Sequence, residues 1–102
     1  MGAALFGESV SATQAEAWGL IWRVVPDEAL ASTLSDITAT LATGPTRAYA
    51  ATKAALHASS GNTLAQQFDL ECQLQRELGY TDDYLEGMRA FAEKRPPAFT
   101  GT

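Results

Sequence analysis

The chain has one cysteine (Cys72), one histidine (His57) and only five Val and Ile residues in a length of 102. Each shortage excludes something. A lone thiol makes no disulfide within the chain, and neither Cys72 nor His57 has a partner at metal-ligand spacing. So few β-branched aliphatics argue against a sandwich, a barrel or a full parallel sheet. Cations are scarce too, seven against twelve Asp and Glu, for a net charge of −5. Arg23, Arg47, Lys53, Arg76 and Arg89 are scattered, and only Lys94 and Arg95 adjoin. Nucleic acid needs a basic face to neutralise its phosphates, so none is expected as a partner. No apolar run approaches the ~20 residues that span a bilayer, and no charged segment followed by an apolar one opens the chain. No membrane partner is expected, and the expected setting is cytoplasmic.

What abounds is alanine, nineteen residues of it. Ala is the strongest helix former, so the expected class is mainly α. A chain of this length is at most one domain and hides only roughly two-thirds of its unfolded surface. It would be a marginal globule that a partner would help.

Ser11 with Gln14 reads as a capping box opening a short helix through Trp18, and Gly19 stops it. Leu20-Ile21-Trp22-Arg23-Val24-Val25 is the one stretch with strand character, a single orphan strand that needs neighbours elsewhere. Pro26-Asp27 opens a second helix, with Leu30, Leu34, Ile37 and Leu41 at helical spacing, and Gly44-Pro45 ends it. A third helix is predicted over 46–58, with Tyr49, Thr52 and Leu56 on one face. Ser59-Ser60-Gly61-Asn62 is a loop in which Asn62 can cap the next helix. Gly79 closes the fourth helix, predicted over 63–78. Thr81 caps a fifth that begins with Asp82 and Asp83 and ends with Lys94 and Arg95, placements that suit the helix dipole. Gly87 inside it points to a close approach of another group. Five helices and one strand result.

The fourth helix is unusual. At 3.6 residues per turn, Leu64, Phe68, Leu70, Cys72, Leu74 and Leu78 spread over roughly 200° of its circumference. An ordinary surface helix buries a stripe little wider than ~100°. Two contact surfaces are implied, one to its own core and one to another chain.

Candidate chemistry is thin, and each candidate has a plainer reading. His57 could serve as a base near Ser59 and Ser60, but suits a helix end. Cys72 lies on the wide apolar face, where packing accounts for it. Asp69, Glu71, Glu77, Asp82, Asp83, Glu86 and Glu93 crowd the last third, and capping or solvation explains most of them. Glu71 falls inside the apolar arc, where a salt bridge, an inter-helix hydrogen bond or a site role would each fit. Lys53, Lys94 and Arg95 could hold a phosphate or merely stabilise helix ends.

The string Glu86-Gly87-Met88-Arg89-Ala90-Phe91-Ala92-Glu93-Lys94-Arg95-Pro96-Pro97-Ala98-Phe99-Thr100-Gly101 resembles the ending of the crotonase, or enoyl-CoA hydratase/isomerase, superfamily. Leu5-Phe6-Gly7-Glu8, Ser11-Ala12, Gln14-Ala15, Trp18-Gly19-Leu20 and Val24-Val25 are similar to its mid-chain segment, and Ala51-Thr52-Lys53-Ala54-Ala55-Leu56 to its lysine helix. Within the superfamily, 17–22, Asn62-Thr63-Leu64, Asp69-Leu70-Glu71 and Leu74-Gln75-Arg76 look most like the ring 1,2-epoxyphenylacetyl-CoA isomerases of phenylacetate degradation.

The resemblance implies that 1–26 end the core of such a fold and that 27–102 are its C-terminal helical, trimerising region. It implies contacts in a homo-oligomer, a trimer or hexamer, and a part of the acyl-CoA pocket. CoA thioester is then the substrate, with no cofactor bound covalently. Lys94 is implied to approach the CoA phosphate and adenine, and Gln75 aligns with an aromatic that touches CoA in some hydratases. The oxyanion-hole amides and the catalytic carboxylate are implied to lie upstream of Met1, which aligns with an interior methionine. Residues 1–102 by themselves are therefore expected to be inactive, with no catalytic residue among them. The alternative is a free-standing, non-catalytic helical module for interaction or oligomerisation.

Overall fold

The computed structural model of the chain describes residues 5–102. Met1, on which the expected internal start rests, lies outside the described residues. The elements are α1 (Ala12–Ala17), a 3-10 turn (Asp27–Ala29), α2 (Leu30–Ala42), α3 (Thr46–Ser59), α4 (Leu64–Leu78) and α5 (Asp82–Glu93). The expected mainly α class, with five helices, is what forms. Two compact units divide the chain, Met1–Asp36 and Ile37–Thr102, with the boundary inside α2.

In the first unit, the Gln14 amide donates to the Ser11 hydroxyl at 3.2 Å and so starts α1. Gly19 takes the left-handed backbone that ends it (φ 72°). The expected strand over 20–25 does not form, and no strand occurs among the described residues. Its backbone donors are spent locally. The Leu20 and Ile21 amides both return to the Ala15 carbonyl, and the Val24 amide donates to Glu16 Oε1 at 2.9 Å. A segment whose N–H groups bond back to the preceding helix has little left to offer a ladder. The Arg23 guanidinium lies 5.9 Å from the centre of the exposed Trp22 ring.

In the second unit, α3 and α4 form a helical hairpin. Ala48, Ala51, Ala55 and Ala58 are the half-buried positions of α3, a stripe of small side chains. The expected face of Tyr49, Thr52 and Leu56 is instead exposed. Its one anchor is the Tyr49 ring, which packs on Gly44 so closely that any Cβ there would collide with it.

Thr63, rather than Asn62, caps α4. It forms a full capping box: the Gln66 amide donates to Thr63 Oγ1 at 3.3 Å, and the Thr63 amide donates to Gln66 Oε1 at 2.9 Å. Asn62 instead donates to the Gln67 side chain at 3.0 Å, and Gln67 donates onward to the Ala55 carbonyl at 3.2 Å. The hairpin turn is thus tied across both helices by one amide side chain.

Thr81 starts α5 as expected, accepting the Tyr84 amide at 3.2 Å and donating to the Leu78 carbonyl at 2.6 Å. The helix ends two residues earlier than expected, at Glu93, so Lys94 and Arg95 lie beyond its last turn. Lys94 adopts the left-handed conformation (φ 56°, ψ 37°), and the Arg95 amide reaches back to the Ala90 carbonyl at 3.1 Å. This is the closing pattern usually given to glycine, because a Cβ strains it. Ala90, 2 % exposed, is the one buried apolar side chain among the described residues.

Candidate functional site

An open cleft of about 480 Å3 lies in the second unit between the start of α3 and α5. Tyr84, Met88, Phe91 and Phe99 give it an apolar wall, and Arg47 is its one cationic lining residue. Periodicity explains the wall: Tyr84, Met88 and Phe91 recur at steps of four and three, so one helix face carries all of them. Phe99 comes from the tail that follows α5. Its ring edge lies 3.8 Å from where a Gly87 Cβ would stand, an ordinary contact, so the close approach expected at this glycine is not one that demands a glycine.

Two carboxylates hold that tail. Asp83, 6 % exposed, accepts the Thr100 amide at 2.7 Å on one oxygen and the Gly101 amide at 2.9 Å on the other. The Asp83 amide in turn donates to the Thr102 carbonyl at 3.1 Å. One turn on, Glu86 receives Arg95 through two guanidinium nitrogens, at 2.6 and 2.9 Å, and the Ala98 amide at 2.8 Å. Glu93 takes the remaining Arg95 Nε at 2.6 Å. The Arg95 hydrogen bonds, then the Ala98 amide, hold the Glu86 carboxyl down to about 2. The hydrogen bonds to Glu86 and then Glu93 raise Arg95 above its usual range.

Lys94, singled out in the sequence, is not a lining residue of the cleft, whereas Asp83 and Gly87 are. The Lys94 ammonium lies 4.3 Å from the centre of the Phe91 ring, over an aromatic that lines the cleft and is itself 76 % exposed. Gln75, the residue aligned with a CoA-touching aromatic, also lines it. Lys53 does not line the cleft. Arg95 is turned away from a phosphate role by its two carboxylate partners. His57 sits in the last turn of α3, an exposed helix-end histidine.

Cys72 was expected to pack, but it is exposed beside Phe68 on the outer side of α4. Among the described residues, Glu71 makes neither an ion pair nor an inter-helix bond. It accepts from Gln67 within its own helix at 2.8 Å. Among the described residues, no group of three His, Cys, Asp or Glu could hold a metal, and no helix is long and apolar enough to cross a membrane. Asp83 and Glu86, expected as capping or solvated acids, instead each accept three hydrogen bonds from the tail. The cleft residues Tyr84, Met88 and Arg47 were not anticipated, although the 84, 88, 91 spacing was there to be read.

Comparison with known proteins decides the family. The sequence model of the enoyl-CoA hydratase/isomerase family matches residues 1–102. The chain belongs to this family. It is 50% identical over 101 residues to a probable enoyl-CoA hydratase of Rhodobacter capsulatus, covering 99% of this chain and 39% of that protein. It is 48% identical, also over 101 residues, to the 1,2-epoxyphenylacetyl-CoA isomerase of Escherichia coli, covering 99% and 38%. The crystal structure of a putative enoyl-CoA hydratase from Streptomyces coelicolor superposes with a TM-score of 0.88 at 36% identity, covering 96% of this chain and 36% of that one. The chain thus spans about two-fifths of the length of the relatives it matches. The helical architecture is that of this part of the enoyl-CoA hydratase/isomerase fold.

Proposed function

We propose that residues 1–102 act as the C-terminal helical part of an acyl-CoA isomerase or hydratase of phenylacetate degradation. In this reading they supply subunit contacts within a trimer or hexamer and one side of the CoA pocket. The oxyanion hole and the proton-moving carboxylate come from outside these residues, and the enzyme works in the cytoplasm. The observation that carries the reading is the family match along the whole of residues 1–102, in a chain spanning about two-fifths of its relatives' length. The 48% identity to the Escherichia coli isomerase supports the ring-epoxide substrate.

Two features of the structure support the roles. Leu64, Phe68 and Cys72 remain uncovered on α4, as a face awaiting another protein surface would. Lys94 presents an ammonium at the edge of an apolar cleft, an arrangement that lets one end of a CoA thioester meet charge and another meet aromatic rings.

Lys94→Glu, made in the protein expressed from its native reading frame, tests the CoA role. The expected outcome is a KM for the CoA thioester raised by about tenfold with kcat nearly unchanged, the signature of lost uniform binding. An unchanged KM would favour a helical module that does not touch CoA.

A further inference from the structure

The segment from Arg95 to Thr102 has no regular secondary structure, yet both its ends and its middle are fastened. It leaves α5 through the Lys94 turn and runs back along the same helix, so that residue 100 meets residue 83. Three latches hold it. The first is Arg95 on Glu86, reinforced by the Ala98 amide on the same carboxylate. The second is Asp83, whose two oxygens each take one backbone amide, from Thr100 and Gly101. The third is steric. Gly101 sits at φ +82° with Thr46 so close that a Cβ would come within 2.6 Å of its hydroxyl.

Asp83 and Glu86 lie three positions apart and so project from one face of α5. Phe99 is carried between their points of attachment and laid over Gly87, where it becomes a wall of the cleft. No apolar side chain other than Phe99 leaves the strap toward that wall. The segment's position is therefore set by charge-assisted hydrogen bonds and one glycine fit rather than by burial of a large surface.

We infer that residues 95–102 form a latched strap, a local unit able to open while the α3–α4 hairpin stays folded, and that Asp83, Glu86 and Gly101 are positioning residues whose task is to set Phe99 in the cleft wall. Local opening is expected where ordering rests on a few polar bonds rather than on a packed apolar core. When the strap is released, the cleft loses Phe99 and widens toward the start of α3. This inference stands on the geometry of the second unit and does not require the CoA reading.

The test is amide hydrogen exchange, together with the 19F signal of 4-fluorophenylalanine placed at position 99, in the protein expressed from its native reading frame. In Asp83→Asn one oxygen becomes a donor facing a donor. The Thr100 and Gly101 amides should then exchange about tenfold faster, with α3 and α4 amides unchanged. The fluorine resonance should move toward its value in unfolded protein. Gly101→Ala should give the same pattern with both carboxylates intact, and Glu86→Gln a weaker version of it.

Unchanged exchange at 100 and 101 in both Asp83→Asn and Gly101→Ala would overturn the latches. Equal acceleration in α3 and α4, or loss of folding even in Glu86→Gln, would overturn the strap as a separable unit. A fluorine signal that stays put while the amides exchange faster would overturn the positioning of Phe99.

Discussion

Two surfaces of the second unit are built by opposite rules. Along α5 and its tail, polar groups find each other in two neighbouring clusters: Asp83 with Thr100, Gly101 and Thr102, and Glu86 and Glu93 with Arg95 and Ala98. On the outer side of α4, apolar groups find nothing: Leu64 and Phe68 stand open, Phe68 with 58 % of its surface exposed. Satisfied polar bonds make a segment self-sufficient, whereas an exposed apolar face gains by meeting another surface. The first surface therefore owes its order to this chain, and the second is where a neighbour would add most.

That contrast can be broken by substitution. The largest effect is expected from Phe68→Asp. If the open face is a subunit contact, a charge at its centre should weaken assembly by about 2 kcal/mol or more, read by sedimentation of the native-frame protein. The stability of the free protomer should move by less than about 0.5 kcal/mol. Equal loss of protomer stability would show instead that Phe68 packs within its own chain.

Asp83→Ala comes next, on the other surface. It leaves two amides without their acceptor and should lower stability by about 2 kcal/mol in urea unfolding, with assembly unaffected. Glu86 sharpens the same side through pH. Its folded pKa of about 2 lies below the ordinary glutamate value of 4.5, so the charged form is favoured by folding. Its contribution is full above 4.5 and is lost as pH falls from there toward 2. Stability curves of the native protein and Glu86→Gln should accordingly differ at neutral pH and converge below that window.

The smallest effect is expected at Lys94. Its backbone is left-handed, so Lys94→Gly should raise stability by about 0.5–1 kcal/mol while removing the ammonium from Phe91. A more stable protein with weaker CoA affinity would separate what the backbone of Lys94 does from what its side chain does.

Local features were the legible ones. Thr81, Gly79, Gly19 and the Pro26-Asp27 start each act within a few residues, and each sits where its chemistry requires. The 200° arc of α4 is only partly covered by its own chain: Leu70, Leu74 and Leu78 are half-buried, while Leu64, Phe68 and Cys72 stay exposed. Two things escaped. The strand over 20–25 reads as extended and β-prone, but Glu16 and Ala15 take its donors. Nothing in six residues announces that competition. The tail clasp depends on partners nine to eighteen positions apart. Asp83 therefore looked like one more acid at a helix start until the chain folded back onto it. Lys94 was one of three cations that could hold a phosphate, and only the resemblance singled it out for CoA.

The central claim is that residues 1–102 serve the CoA side and the subunit contacts of an acyl-CoA isomerase or hydratase without carrying its chemistry. Its most direct test is an enoyl-CoA turnover assay on a pure, mass-verified 102-residue chain whose helicity has been confirmed by circular dichroism. The account predicts no hydration and no isomerisation above the uncatalysed rate. Turnover by that chain would contradict it.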